Sequence, residues 1–178
     1  MKQKSTKKEP PSKEKQTLAL LLQENYRKVL GYFLKLTQNT ELAKDLTQET
    51  MVKAIKNYHQ YRGDAAFSSW LITIGSNLYR DQLRRKHRLE KNYDAILESK
   101  SPDGLLDIPG EVTFDLKPAL LRLTLEKRIP LVLKYYYDFT YQEIATTLKI
   151  PIGTVRSRLF SALRELRAML AENPNFDF

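Results

Sequence analysis

The chain has 178 residues, 42% of them hydrophobic and 29% charged, enough apolar material for one ordinary domain or two small ones. It has no cysteine, which excludes disulfides, thiolate metal sites and a cysteine nucleophile; its two histidines, His59 and His87, are too far apart in sequence for a ligand-spaced cluster. Thirty basic against 21 acidic residues give a net charge of +9, which favours a polyanionic partner through counterion release.

Residues 1–16, MKQKSTKKEPPSKEKQ, carry lysines 2, 4, 7, 8, 13 and 15 against Glu9 and Glu14, with Pro10 and Pro11. With no large apolar residue after Met1, this composition predicts a disordered basic tail, suited equally to nonspecific DNA contact and to solubility. From Thr17 to Leu36 the apolar set Leu18, Leu21, Leu22, Tyr26, Val29, Leu30, Phe33 and Leu34 follows the helical period. Asn39 or Thr40 is placed to cap a second helix, ELAKDLTQETMVKAIKNYH, with Leu42, Leu46, Met51, Val52 and Ile55 as its expected inward stripe. The other face offers Asp45, Gln48, Glu49 and Lys53, which on charge pattern alone is an ordinary solvated surface.

Arg62-Gly63-Asp64 marks a turn, and Phe67 to Arg88 then reads as a helical pair or one long bent helix with Gly75 as its weak point. Phe67, Trp70, Leu71, Ile74 and Leu78 share a face and are expected in the core. Arg80, Arg84, Arg85, Lys86 and Arg88, with His87 among them, form the densest cationic run. Steps of four put Arg80, Arg84 and Arg88 along one face suited to phosphates, with Asp81 as an ion-pair partner inside the chain. From Tyr93 to Leu116, Asp94, Glu98, Asp103, Asp107, Glu111 and Asp115 stand against Lys100 alone. Pro102, Gly104, Pro109 and Gly110 break any long helix there, so the segment reads as an acidic linker.

Leu120, Leu121, Leu123 and Leu125, then Ile129, Leu131, Val132, Leu133, Tyr135 and Tyr136, supply further helices, with Pro130 expected in a first turn. In Asp138 to Arg167 the apolar positions Ile144, Ala145, Leu148, Ile150, Val155, Leu159, Leu163 and Leu166 recur at helical steps on either side of a break at Lys149–Gly153. Thr140 with Glu143 fits a capping box starting a helix at Tyr141, and Pro151 suits the first turn of a second helix. Small Ala145 lies where a DNA-binding helix-turn-helix needs close approach. The second helix presents Thr154, Arg156, Ser157, Arg158, Phe160 and Ser161, then Arg164 and Arg167, a side-chain set for guanine edges and phosphates. The final ENPNFDF lacks helical signals and is expected to fray.

The run EIATTLKIPIGTVRSRLFSAL resembles region four of the extracytoplasmic-function (ECF) sigma factors, and AKDLTQETMVKAIKNYHQYRGDAAFSSWL resembles their region two. Where the family usually has phenylalanine, alanine, proline and arginine, this chain has Met51, Gly75, Thr124 and Ser161. The resemblance implies that Asp45, Gln48, Glu49 and Thr50 bind core RNA polymerase. It implies that Asn77, within Ile74-Gly75-Ser76-Asn77, stands in a short loop accepting a base flipped from the −10 element, with Arg80, Arg84 and Arg85 beside it. It further implies that Arg156, Ser157 and Phe160 read the −35 element, with Thr154, Arg158 and Arg164 nearer the DNA backbone.

The expected fold is all-α: two small helical domains joined by a flexible acidic linker, the second containing the helix-turn-helix. Its divisions are a tail at 1–16, region two at 17–90, the linker at 91–116, region four at 117–172 and a frayed end at 173–178. Expected partners are core RNA polymerase, promoter DNA and an anti-sigma factor; neither a cofactor nor a small-molecule substrate is expected. With no apolar run near the roughly 20 residues that span a bilayer, and no signal region, the protein is expected in the cytoplasm without membrane insertion. A regulator that never joins polymerase is the first alternative. A nucleic-acid-processing enzyme is the second, but Asp45 and Glu49 lack a third ligand nearby.

Overall fold

The computed structural model describes residues 13–92 and 116–171. The rest of the basic tail, most of the acidic linker and the C-terminal ENPNFDF lie outside those residues. Helix α1 spans Lys13–Thr37, beginning inside the segment expected as tail, and α2 spans Thr40–Asn57. A short 3-10 turn at Tyr58–Gln60 leads through an exposed loop to α3, Phe67–Asn92. The second group comprises α4 (Leu116–Arg122), α5 (Leu125–Tyr136), α6 (Tyr141–Leu148) and α7 (Ile152–Ala171). Among the described residues there is no strand, and no helix is long and apolar enough to cross a membrane.

The first three helices pack around Val29, Tyr32, Phe33, Leu36, Leu46, Leu71 and Ile72, all essentially without solvent contact. Asn39 caps α2 by accepting the Leu42 amide at 2.9 Å. The inward side of α2 is not the expected stripe: Leu42, Val52 and Ile55 are exposed, and the buried positions are Ala43, Leu46, Thr47, Thr50 and Ala54. Small residues allow close helix approach there, and the two threonine hydroxyls are satisfied by donating to the carbonyls of Ala43 and Leu46, at 2.6 and 2.7 Å.

Helix α3 passes through Gly75 unbroken. A Cβ on Gly75 would stand 2.7 Å from Phe33 Cζ and 3.1 Å from Thr50 Oγ1, so glycine here lets three helices meet rather than loosening one. Tyr32 donates its hydroxyl to Ser76 Oγ at 2.6 Å, and Ser76 donates to the Ile72 carbonyl, closing a buried polar chain between α1 and α3.

In the second group α5 and α6 pack on α7 around Ile129, Leu133, Ile144, Leu148, Val155 and Leu159. Pro130 is buried in the second turn of α5 rather than the first. Leu123 and the Arg128 guanidinium close the α4–α5 corner, Arg128 donating to the carbonyls of Leu121 and Leu123 at 2.6 and 2.7 Å.

The two groups also fold against each other, α1 meeting α4 and α5 while α3 meets α6. Arg128 donates to the Leu36 carbonyl at 2.5 Å, Arg80 to the Leu148 carbonyl at 2.5 Å, and the Tyr137 hydroxyl to the Lys28 carbonyl at 3.1 Å. Thr73 and Thr147 share a hydrogen bond at 3.2 Å, Tyr32 and Tyr137 meet edge to face, and the Lys35 ammonium sits over the Tyr136 ring.

Candidate nucleic-acid interface

The helix-turn-helix is built as its sequence requires. Thr140 Oγ1 accepts the Glu143 amide, while the Glu143 carboxylate accepts both the amide and the hydroxyl of Thr140 at 2.7 Å. These two donors, the backbone one first, hold the Glu143 carboxyl below its ordinary value. At the other end of α6, Lys149 adopts the left-handed conformation (φ 52°) and its amide returns to the last turn. Pro151 immediately precedes α7, and its carbonyl accepts the Thr154 and Val155 amides. Ala145 is buried at the crossing and Val155, Leu159, Ala162 and Leu166 face the core.

The opposite side of α7 is left to solvent. Phe160 is 70% exposed, Arg156, Ser157 and Arg164 are exposed, and Thr154 is half-buried, its carbonyl accepting from the Ser157 hydroxyl. An aromatic ring so exposed on a helix lined with arginines has no role in the core. It suits contact with base methyls and sugars in a groove. Arg158 differs from the others: half-buried, it pairs with Glu126 on α5 at 2.8 Å. Ser161 turns toward Glu165, which also holds Lys127.

On α3 the residues expected at the −10 element separate into two kinds. Arg84 and Arg85 are exposed, but Arg80 is half-buried and spends its guanidinium on the α6 carbonyl. Burial lowers the Arg80 pKa from its ordinary value, and the charges of Arg158 and Arg84 add to that. Asn77 does not stand in a loop: it lies inside α3, half-buried, and its amide donates to the Thr73 carbonyl at 3.0 Å. The exposed loop is upstream, at Arg62–Ala66 with Gly63 at φ 81°, and Tyr61 and Trp70 stand against it. Tyr58, Tyr61, Phe67 and Trp70 form one aromatic cluster beside this loop, a feature that a core reading of Trp70 alone does not expose.

The outward face of α2 carries Asp45, Gln48 and Glu49, all exposed, bordered by exposed Leu42, Val52 and Ile55. Glu49 accepts from Gln82 of α3 at 2.7 Å, which steadies the carboxylate at the surface. Thr50 is a correction to the expected set: it is fully buried and donates inside its own helix, so it supports this face from beneath. This exposed face combines apolar side chains with carboxylates, a composition that suits contact with protein better than with DNA.

Residues 21–89 match the family Sigma-70 region 2, and residues 115–166 match Sigma-70, region 4. The ECF RNA polymerase sigma factor SigL of Mycobacterium tuberculosis is 34% identical over 148 residues, 79% of this chain and 81% of that protein. The RNA polymerase sigma-H factor of Pseudomonas aeruginosa is 28% identical over 162 residues, 84% of this chain and 83% of that one. Among solved structures, the sigma factor RpoE of Bartonella quintana, in complex with the anti-sigma factor NepR, has a similar fold. Its TM-score is 0.70 at 24% identity, covering 92% of this chain and 99% of that one.

Proposed function

The chain belongs to the extracytoplasmic-function RNA polymerase sigma factors, and from that premise we propose how its surfaces divide the work. Such a factor binds core RNA polymerase and directs promoter recognition and transcription initiation. In this reading residues 17–90 form one working unit and 117–172 the other, with 91–116 as tether. Helix α7 enters the major groove of the −35 element. Arg156, Ser157 and Phe160 meet base edges, and Thr154, Arg158 and Arg164 lie nearer the phosphates. Arg80, Arg84 and Arg85 attract the −10 strands, and Asn77 contributes an amide that both donates and accepts, once freed from the Thr73 carbonyl.

Asp45, Gln48 and Glu49 dock on core polymerase, and Leu42, Val52 and Ile55 extend that contact. The protein performs no bond-making chemistry of its own and acts in the cytoplasm. An anti-sigma factor, the kind of partner held by the RpoE neighbour, belongs to the same reading. The observation that carries it is the free face of α7, where a capped helix-turn-helix leaves Arg156, Ser157, Phe160 and Arg164 to solvent.

Co-sedimentation with core polymerase is the test. The protein is expected to bind core, and reversing both acids, Asp45→Lys with Glu49→Lys, to weaken binding about tenfold or more. A protein that never associates with core overturns the reading, and a double variant that binds undiminished removes α2 from the interface.

A further inference from the structure

Glu49, on the outward face of α2, is held by a residue of the neighbouring helix: its carboxylate accepts from the Gln82 amide of α3 at 2.7 Å. The packing beneath explains why the two meet. Gly75 lets α3 come so close to α2 that a Cβ there would stand 3.1 Å from Thr50 Oγ1. Seven residues, about two helical turns, separate Gly75 from Gln82 and put both on one side of α3, while Glu49 directly precedes Thr50. Glu49 is exposed and Gln82 half-buried, so the amide is the anchored partner and the carboxylate the one presented to solvent.

Glu49 had a nearer partner to choose. Lys53 stands four residues after it on the same helix, the favoured spacing and order for an ion pair, and elsewhere on α2 Glu41 does pair with Lys44 at 3.0 Å. Glu49 and Lys53 are not paired, and among the described residues no cation pairs with Glu49. The donor that holds it is a neutral amide, on a helix that continues with Arg84 and Arg85.

The difference matters for docking. A carboxylate that accepts from an amide keeps its negative charge and lone pairs for a further donor, whereas a lysine or arginine partner would cancel the charge. The amide also restricts rotamers. A glutamate that reaches an interface already oriented loses less freedom on binding than one free in water.

We propose that Gln82 is a positioning residue for core polymerase: it aims the Glu49 carboxylate outward, uncancelled, at a basic group of the polymerase. The proposal rests on the docking role given to α2 above. The docking site then belongs to the α2–α3 pair, and one polar residue inside the cationic run of α3 serves core rather than DNA.

Titration of the whole chain against core polymerase without DNA, with urea midpoints taken in parallel, tests this through two substitutions that act oppositely on the helix pair. Gln82→Ala removes the hydrogen bond and is expected to weaken core binding about three- to tenfold with little change in the midpoint. Gln82→Lys replaces it with a charge-assisted bond, and is expected to hold or raise the midpoint while weakening core binding about tenfold. A merely structural role predicts the reverse for Gln82→Lys: a firmer α2–α3 contact and core binding at least as tight as before. In a Glu49→Ala background, which binds core more weakly by itself, neither Gln82 substitution is expected to lower affinity further by more than about twofold.

Gln82→Lys that binds core as well as the unaltered protein, or losses that persist in full without Glu49, overturn the positioning role and leave the docking face standing. Glu49→Ala that binds core undiminished overturns both the role of Gln82 and the assignment of Glu49 to the docking face. An unaltered protein that never binds core overturns the sigma-factor reading itself, which keeps the failures apart.

Discussion

Arg156 and Phe160 stand one turn apart on the outer face of α7, and neither has an internal task in the fold. Replacing Arg156 by alanine is therefore expected to leave stability nearly unchanged while weakening promoter binding by about 1–3 kcal/mol and relaxing the upstream sequence preference. A binding-site selection with polymerase holoenzyme measures both; an unaltered preference would refute the assignment. Thr140 is the opposite kind of residue, with an internal role only. Thr140→Ala is expected to cost about 1 kcal/mol of stability, read as a lower urea midpoint. The same box gives a pH signature. Because Glu143 is held below its ordinary value of 4.5, its contribution is present above that pH and is lost as pH falls through the lowered value. In Glu143→Gln this part of the acid destabilisation is expected to disappear, as measured by urea midpoints between neutral and acid pH.

At the scale of elements, the capped helix-turn-helix was legible because its signals are local: Thr140 with Glu143, the break before Pro151, and apolar steps along α7. Helix α2 was legible in its extent and not in its orientation. Leu46 of the expected stripe is buried, but the rest of the buried side is made of Ala43, Thr47, Thr50 and Ala54, which do not register as a hydrophobic stripe, while Leu42, Val52 and Ile55 do and are outside. Small residues facing inward and large ones outward are what a helix shows when it packs closely on one side and binds a partner on the other. Gly75 misled for a related reason. In sequence a mid-helix glycine signals weakness, whereas in the fold the Phe33 ring occupies the space a Cβ would need. Gly75→Ala is expected to destabilise the N-terminal module by about 1–3 kcal/mol, by urea denaturation. Because the clash is with Phe33, a double-mutant cycle with Phe33→Leu is expected to show favourable coupling, and strict additivity would mean that the ring is not the obstacle.

For the whole molecule, two basic modules flanking an acidic segment were visible in composition, but their mutual contact was not. Arg80 reads as one more cation in a phosphate-tracking run, and Arg128 lies outside the apolar steps that mark its helix. Their acceptors are backbone carbonyls, which carry no residue signature, so the pairing emerges only when α1, α3, α5 and α6 are placed together. Every surface described serves one claim: with core RNA polymerase this chain selects promoters and starts transcripts. Runoff transcription on genomic fragments, with start sites mapped, measures that claim most directly. Core polymerase supplemented with the protein is expected to initiate at discrete sites sharing an upstream and a downstream motif, where core alone does not. Initiation no better than that of core alone on every template would contradict it.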